Sequence, residues 1–260
     1  MKWVFLSPHY DDVVYSCGGM IWEIIQSGEL VRVWTVCAGA PAPGEPLSAF
    51  ARELHERWGA GVEAVKIRRR EDRAALRLLR TGARYGDLPD CIYRRLADGW
   101  LVNGEEDLWK PVHPQEEGVV EALSVWIASG LKRLGKPHQV CLVSPLTLGN
   151  HIDHSVVRAA AERAAARVNC ELLYYADYPY AGKDGVDAAE KTAPGWRQVC
   201  GSVSEAALAV WQDAAACYTS QISTFWSGRS GLNAALEKYW RSGGGTCLWQ
   251  PGSFVTGEHE

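Results

Sequence analysis

The sequence has no Cys-x-x-Cys pair, no apolar run long enough to cross a membrane, and no excess of basic residues. Its formal net charge is -4 at pH 7, so no broad positive field indicates a nucleic-acid partner or an anionic membrane. The apolar run at residues 2–6 ends at Ser7 and Pro8 and is too short for the core of a signal peptide. We therefore expect a cytoplasmic protein with no membrane span and no nucleic-acid partner.

The cysteines are spread along the chain rather than paired in a motif. They are Cys17, Cys37, Cys91, Cys141, Cys170, Cys200, Cys217 and Cys247. Several lie inside apolar runs, as at residues 140–143. A disulfide framework is typical of shorter, loop-rich secreted chains. The pattern therefore favours buried free thiols in a reducing compartment.

Short apolar stretches alternate along the chain with segments of helical periodicity. We predict buried strands at residues 1–6, 30–38, 139–143 and 172–175, and helices at residues 17–27, 47–58, 62–79, 115–134, 153–168 and 204–225. This alternation is typical of a Rossmann-like α/β fold, a mostly parallel sheet with helices on both faces. No linker composition or repeat divides the chain, so we expect one domain over residues 1–260.

Two polar clusters follow predicted buried strands, at residues 7–12 and 149–154. Sites of open α/β sheets form beyond the carboxyl ends of the strands, so we expect the two clusters to meet. His9, Asp12 and His154 would then offer two imidazoles and one carboxylate to a metal ion and leave coordination positions open. This set suits Zn²⁺, and Fe²⁺ is possible. Either cluster alone could be a surface helix pair or a helix cap, and only their joint position favours a site.

Two further residues of these clusters are free to act on a substrate. Asp11, next to a predicted ligand, could take a proton from a metal-activated water. His151 lies three residues before His154, so one helical turn would place both imidazoles on the same side. There His151 could stabilise an oxyanion or protonate a leaving amine.

The chain resembles the PIG-L/LmbE-like zinc de-N-acetylases in several segments. Residues 7–12 and the glycine pair at 18–19 resemble the family's His-Pro-Asp-Asp-Glu motif and the glycines that follow it. Residues 151–154 resemble the second histidine motif. Residues 69–75 resemble the family's Arg-rich helix, and residues 88–94 resemble a segment near the substrate. Only the two histidine motifs are specific, although the resemblance extends over nearly the whole chain.

The resemblance implies a role for each matching residue. The implied metal ligands are His9, Asp12 and His154, the implied catalytic residues are Asp11 as general base and His151 at the tetrahedral intermediate, and the implied substrate contacts are Arg68 and Asp90. It also implies a Zn²⁺ cofactor and a small-molecule, N-acetylated, sugar-like substrate. The reaction would remove an N-acetyl or similar N-acyl group from a sugar or sugar conjugate.

Three positions depart from the family's pattern. Tyr10 replaces a proline and Val13 replaces a glutamate, and neither position is a ligand in the family. Gly149 stands where some members carry a tyrosine that acts on the oxyanion. That role would fall to His151 or to a tyrosine elsewhere in the chain.

Two other functions fit the same residues. One is a metal-dependent amidase or esterase acting on a non-acetyl conjugate. The other is a carbohydrate-binding protein on the same scaffold, against which Asp11 speaks because a binder needs no base. Tryptophans in predicted loops or helix ends, such as Trp109 and Trp226, could stack on a sugar, although core packing is the commoner use of this residue.

Overall fold

The computed structural model describes residues 1–183 and 185–252. Its strands are β1 (Lys2–Ser7), β2 (Leu30–Thr35), β3 (Gly82–Tyr85), β4 (Arg95–Leu96), β5 (Gly99–Trp100), β6 (Val140–Pro145), β7 (Glu171–Tyr175), β8 (Arg197–Cys200) and β9 (Cys247–Gln250). Its α-helices are α1 (Asp12–Gln26), α2 (Ala49–Arg57), α3 (Ala64–Leu78), α4 (Glu117–Leu134), α5 (Ile152–Val168), α6 (Glu205–Ala215), α7 (Thr219–Phe225) and α8 (Gly228–Arg241). None of the helices within these ranges combines the length and apolar character needed to span a bilayer.

The main sheet has the strand order β3-β2-β1-β6-β7-β9-β8. The first five strands in this order, β3, β2, β1, β6 and β7, are parallel to one another. β9 is antiparallel to both β7 and β8. Alternate residues of the strands pack into two hydrophobic cores, one on each face of the sheet. Phe5 of β1 packs with α1, α3, α6 and α8 on one face, whereas Val4 and Leu6 pack with α4 and α5 on the other. The prediction of a mostly parallel α/β sheet with helices on both faces is confirmed.

The strand order brings the two polar clusters together. β1 and β6 are neighbours in the sheet and parallel to each other. The chain leaves β1 toward β2 on one side and leaves β6 toward β7 on the other, so this pair is the switch point of the sheet. The turn from β1 into α1 and the loop from β6 into α5 therefore open at the same edge.

Close packing of α1 against α6 explains the glycine pair after the first motif. A Cβ added to Gly18 would lie 2.3 Å from Cδ1 of Trp211, and one added to Gly19 would lie 2.7 Å from Cγ1 of Val203. The indole Nε1 of Trp211 donates to the carbonyl oxygen of Val14 at 2.6 Å. The glycines thus let the α6 indole reach the backbone of α1, the helix that begins at the candidate site.

We expect Gly18→Ala to lower the free energy of unfolding by about 1–3 kcal/mol, because the buried Trp211 ring must move to admit the methyl group. Gly118→Ala is the matched control, since that glycine is exposed in α4 and an added Cβ meets no atom within 4 Å. The control should be neutral or up to about 1 kcal/mol more stable. Urea unfolding of both variants tests this, and equal stability would contradict it.

The predicted helix at residues 204–225 is two helices, α6 and α7. The chain breaks between them because α3 anchors the start of α7. The Tyr218 hydroxyl donates to Asp72 Oδ1 at 2.8 Å, and the Ser220 backbone N–H donates to Glu71 Oε1 at 2.8 Å. The charge run at residues 66–73 predicts a solvated face for α3. That prediction is wrong in part, since Asp72 is fully buried and Arg68 nearly so. α8 was not among the predicted helices.

Burial raises the pKa of Asp72 to about 7, even though Tyr85 and Tyr218 donate to its carboxyl group. The folded protein therefore holds a proton on Asp72 that the unfolded chain, with a pKa near 3.9, releases. We expect stability to fall as pH rises from about 4 to about 7, by on the order of 2–4 kcal/mol.

Asp72→Asn keeps an acceptor oxygen for one of the two tyrosines, offers the other an amide N–H, and removes the titration. Unfolding free energies measured at pH 5 and pH 8 should therefore differ less in this variant than in the wild type. An identical pH dependence in both proteins would show that Asp72 is ionised in the fold.

Cys200 and Cys247 form a disulfide between adjacent antiparallel strands, where they lie opposite each other with Cα atoms 4.0 Å apart. The prediction that all cysteines are free thiols is wrong for this pair. The two are 47 residues apart in sequence, and every residue of β8 is exposed, so no apolar pattern indicated the strand that aligns them. The other six are free, and four of them are buried. A cytoplasmic location, which rested partly on free thiols, stays a prediction.

Candidate metal centre and substrate cavity

The structure brings the three predicted ligands together at the edge where β1 and β6 end. Asp12 Oδ2 lies 3.3 Å from His9 Nδ1 and 3.3 Å from His154 Nε2. Two ligands of a tetrahedral zinc ion, each about 2.0–2.1 Å from the metal, lie about 3.3 Å apart. Each of the two separations from Asp12 therefore suits a pair of ligands on one small divalent ion.

The far nitrogen of each imidazole is held by a buried carboxylate. His9 Nε2 pairs with Asp153 Oδ2 at 2.9 Å, and His154 Nδ1 pairs with Asp177 Oδ1 at 2.6 Å. Metal-binding histidines commonly have such a partner, which fixes the ring and its tautomer. The near nitrogens are left facing Asp12, and His154 Nε2 is a buried atom without a hydrogen-bond partner among the described residues. A buried imidazole nitrogen without a hydrogen-bond partner suits a metal ligand.

The site is rich in negative charge. Burial lowers the pKa of His154, but Asp12 and Asp177 together raise it to about 9. Burial raises the pKa of Asp12, but the electrostatic attraction of His154 and His9, each 3.3 Å from its Oδ2, outweighs burial and holds that pKa well below its ordinary value. The arrangement thus attracts a cation, either a proton or a metal ion.

Other combinations of side chains come close enough to share an ion. Ligand atoms of His9, His151 and His154 all lie within 4.8 Å of one another, and two further groups combine a cysteine with Asp153. Asp153 is already committed, because Oδ1 accepts from Arg94 and Oδ2 accepts from both His9 and the Cys91 backbone N–H. We therefore assign Asp153 to support of His9 rather than to a second ion.

His151 is the residue before α5 and not part of that helix, so the predicted helical pair with His154 is wrong. The two rings nevertheless meet, with centroids 5.2 Å apart. His151 Nδ1 accepts from the Asp153 backbone N–H at 3.2 Å, which leaves the hydrogen of the neutral ring on Nε2. Burial, followed by His9 and His154, holds the pKa of His151 well below its ordinary value. His151 is thus a neutral hydrogen-bond donor beside the metal ligands.

Asp11 and Asp90 share the guanidinium group of Arg68. Arg68 Nη2 lies 3.3 Å from Asp11 Oδ1, and Nη1 lies 3.6 Å from Asp90 Oδ2. All three side chains are buried and line the same cavity. Burial raises the pKa of Asp11, while Arg68 opposes that effect. The structure therefore brings the predicted base and both predicted substrate contacts to the cavity.

One wall of the cavity is apolar and was not predicted. It comes from α2, from the turns near residues 92 and 108, and from the end of α7. Its main residues are Phe50, Leu54, Trp58, Leu108, Trp109 and Phe225. Trp109 and Phe225 are 37% and 41% exposed, which places them at the mouth. The sequence indicated Trp109 only as one of the tryptophans in loops or helix ends that could stack on a sugar.

Tyr180 occupies the space that Gly149 leaves free. A Cβ on Gly149 would lie 2.7 Å from Cγ of Tyr180. The Tyr180 ring stands edge-on to His154, with centroids 6.0 Å apart, and to Trp109 at 5.7 Å. A tyrosine ring therefore lies beside the metal ligands although none is present at position 149.

A mostly parallel α/β sheet thus carries, at its switch point, buried imidazole and carboxylate groups that could hold a metal ion. The chain belongs to the PIG-L family, described as GlcNAc-PI de-N-acetylase, whose family model matches residues 4–165. The predicted resemblance is thereby confirmed. The matched segment contains all of the predicted metal ligands, catalytic residues and substrate contacts.

Relatives of known activity are similar over most of this chain. A 2'-N-acetylparomamine deacetylase of Streptomyces fradiae is 31% identical over 192 residues, which cover 71% of this chain and 60% of that protein. An enzyme of the same name from Niallia circulans is 28% identical over 208 residues, or 75% and 72% of the two chains. The zinc-inhibited form of teicoplanin deacetylase Orf2 superposes with a TM-score of 0.79 at 30% identity, over 96% of this chain and 97% of that one. The chain thus spans less than two thirds of the Streptomyces fradiae protein.

Proposed function

We propose that the protein hydrolyses the N-acetyl amide of an amino sugar within a larger conjugate, as a zinc-dependent deacetylase. The observation that carries this proposal is Asp12 Oδ2 at 3.3 Å from two imidazole nitrogens, with the ion-paired carboxylate of Asp11 beside it. Ligands alone would account for binding of an ion but not for proton transfer. A buried carboxylate next to the ligands, paired with an arginine rather than with an imidazole, supplies the base that hydrolysis needs.

The side chains divide the work of amide hydrolysis. When bound, zinc would polarise the acyl carbonyl and make water more acidic. Asp11, oriented through its Oδ1 by Arg68, accepts a proton from the attacking water. His151 donates from Nε2 to the carbonyl oxygen as negative charge develops there. The proton taken by Asp11 then passes to the leaving nitrogen, so that acetate and a free amino sugar are released.

The Tyr180 hydroxyl is a second donor for this step. Its ring is held between Gly149, His154 and Trp109, and it lines the cavity. Burial raises the pKa of Tyr180 well above its ordinary value, so the phenol keeps its proton at neutral pH. We assign to it the oxyanion contact that Gly149 cannot make.

The apolar wall favours a sugar conjugate over a free amino sugar as substrate. A single sugar ring offers little apolar surface to Trp109 and Phe225, which stay partly exposed at the mouth. An apolar or aromatic group attached to the sugar would cover them and gain hydrophobic contact. The named substrates of the relatives are 2'-N-acetylparomamine and teicoplanin, and the wall favours the less polar kind of conjugate for this chain.

The metal requires its own test because Fe²⁺ suits the same ligands and one solved relative is described as zinc-inhibited. Protein stripped with a chelator and reloaded with Zn²⁺ or Fe²⁺ should recover acetate release from N-acetylglucosaminides. The p-nitrophenyl glycoside should show a higher kcat/KM than the methyl glycoside.

Each alternative function has its own outcome in this assay. Full activity after removal of the metal with a chelator would contradict a metal-dependent reaction. Cleavage of esters or larger acyl groups without acetate release would favour the amidase or esterase, and saturable sugar binding without turnover would favour the carbohydrate-binding protein.

A further inference from the structure

A tyrosine that no motif of the sequence analysis included lies at the cavity with an unsatisfied hydroxyl group. Tyr15 lines the cavity and is 1% exposed, and its Oη is buried without a hydrogen-bond partner among the described residues. Its ring is fixed by edge contacts with Tyr218, at 5.5 Å between centroids, and with Trp226 at 5.0 Å. A phenylalanine would make the same ring contacts without the cost of an unpaired hydroxyl. Within the described residues the hydroxyl is therefore available to a bound ligand.

A second unpaired donor belongs to Arg68, which also lines the cavity. Arg68 uses Nη1 and Nη2 for Asp90 and Asp11, but its Nε is buried without a partner in the described part of the chain. Both donors flank Asp11. Arg68 contacts the Asp11 carboxylate directly, and Tyr15 stands one helical turn beyond it, with its backbone N–H donating to the Asp11 carbonyl oxygen at 2.9 Å.

Gln221 adds an acceptor to these two donors. Its Nε2 donates to Ser220 Oγ at 2.9 Å, which directs Oε1 to other partners, and the residue lines the cavity. Two donors and one acceptor match a hydroxyl group, which both accepts and donates. They do not match an acyl carbonyl, which only accepts.

We propose that Tyr15, with Arg68 Nε and Gln221, forms a subsite for one hydroxyl group of the sugar ring that carries the N-acyl group. The inference rests on the proposed function, since it takes the acyl carbonyl to lie at the metal ligands and the sugar ring to lie beside Asp11. Tyr15 is then a specificity residue, because a substrate without that hydroxyl leaves buried donors unpaired in the complex.

Tyr15→Phe removes only the hydroxyl group and tests the subsite. For methyl N-acetylglucosaminide we expect kcat/KM to fall about tenfold, the usual weight of one neutral hydrogen bond. Wild-type protein should show a similar loss with one of the 3-, 4- or 6-deoxy analogues of that glycoside. The variant should lose nothing more with the same analogue, because each change removes the same hydrogen bond.

The melting temperature distinguishes the subsite from a purely structural role of Tyr15. If the hydroxyl group only stabilised the fold, Tyr15→Phe would melt at a lower temperature than the wild type. Without substrate, the melting temperature of Tyr15→Phe should equal or exceed that of the wild type, since the lost hydroxyl has no partner. Tyr218→Phe is the matched control on the neighbouring ring. Its hydroxyl is bonded to Asp72, so this control should melt at a lower temperature and keep its kinetic constants.

The outcomes that would contradict the subsite differ from the outcome that would contradict the proposed function. If wild-type protein releases acetate and Tyr15→Phe keeps kcat/KM within twofold, the subsite is wrong and the proposed function stands. The subsite is also wrong if, for every deoxy analogue, the loss of kcat/KM caused by Tyr15→Phe and the loss caused by the missing sugar hydroxyl are additive. If wild-type protein releases no acetate from any of these glycosides, the proposed function itself has failed.

Discussion

Asp11→Asn should retain the fold and the bound metal while turnover falls by about 10²–10⁴-fold, the range expected for loss of a general base. The amide keeps the size of the carboxyl group and can still accept a hydrogen bond from Arg68, which lies 3.3 Å from Asp11 Oδ1. It cannot accept the proton of the attacking water. Metal content measured beside kcat on the same preparation tests this expectation.

Variants of the proposed metal ligands, including the neighbouring Asp12, should behave differently from Asp11→Asn. Asp12→Ala and His154→Ala each remove a proposed ligand and should lower the metal content. His151→Ala should behave like Asp11→Asn, because its Nε2 is assigned to the carbonyl oxygen and not to the ion. Loss of metal from Asp11→Asn, or nearly full activity of that variant, would show that the division of roles between the adjacent aspartates is wrong.

The site could be predicted from sequence wherever its residues follow a buried strand. His9 and Asp12 follow β1, and His151 and His154 follow β6, so parallel pairing of the two strands was enough to unite them. The same rule, applied to β7, would have indicated Asp177, which comes two residues after that strand and holds His154. The sequence therefore contained a signal for Asp177, although Asp177 was not among the predicted site residues.

Residues that reach the site from helices and loops gave no such signal. Tyr15 sits within an apolar stretch of α1 and is indistinguishable in sequence from a core aromatic residue. Tyr180 becomes significant only because Gly149, which is distant in sequence, leaves room for its ring. Arg68 reaches the cavity from a helix whose charge run favoured a solvated surface, and only the resemblance to the family indicated it.

The ends of elements were harder to predict than their existence. β1, β2, β6 and β7 lie where the apolar runs predicted them, since strands buried on both faces have a continuous apolar pattern. The break between α6 and α7 depends on contacts of Tyr218 and Ser220 with α3, far away in sequence. β8 is exposed along its whole length and is defined by its pairing with β9. Tertiary contacts, rather than local patterns, determine both features.

Asp153→Ala should weaken both the metal site and the fold, although Asp153 is not a proposed ligand. Its side chain is fully buried, with Oδ1 accepting from Arg94 at 2.6 Å and Oδ2 accepting from His9 Nε2 at 2.9 Å. Loss of the carboxylate frees the His9 ring, and loss of such a partner typically lowers metal affinity 10–100-fold. It also leaves the buried Arg94 with Glu116 as its remaining carboxylate, at a cost of about 3–5 kcal/mol in unfolding free energy.

The two effects need separate measurements. Metal affinity is titrated at a temperature where circular dichroism shows the variant to be folded, and stability is taken from urea unfolding of metal-free protein. Asp153→Asn, which keeps the volume and one acceptor oxygen, serves if the alanine variant does not fold. Glu117→Ala breaks an exposed pair with Arg163 at 2.6 Å and should change neither quantity appreciably. Wild-type metal affinity in a folded, destabilised Asp153 variant would mean that Asp153 supports Arg94 and the core but does not orient His9.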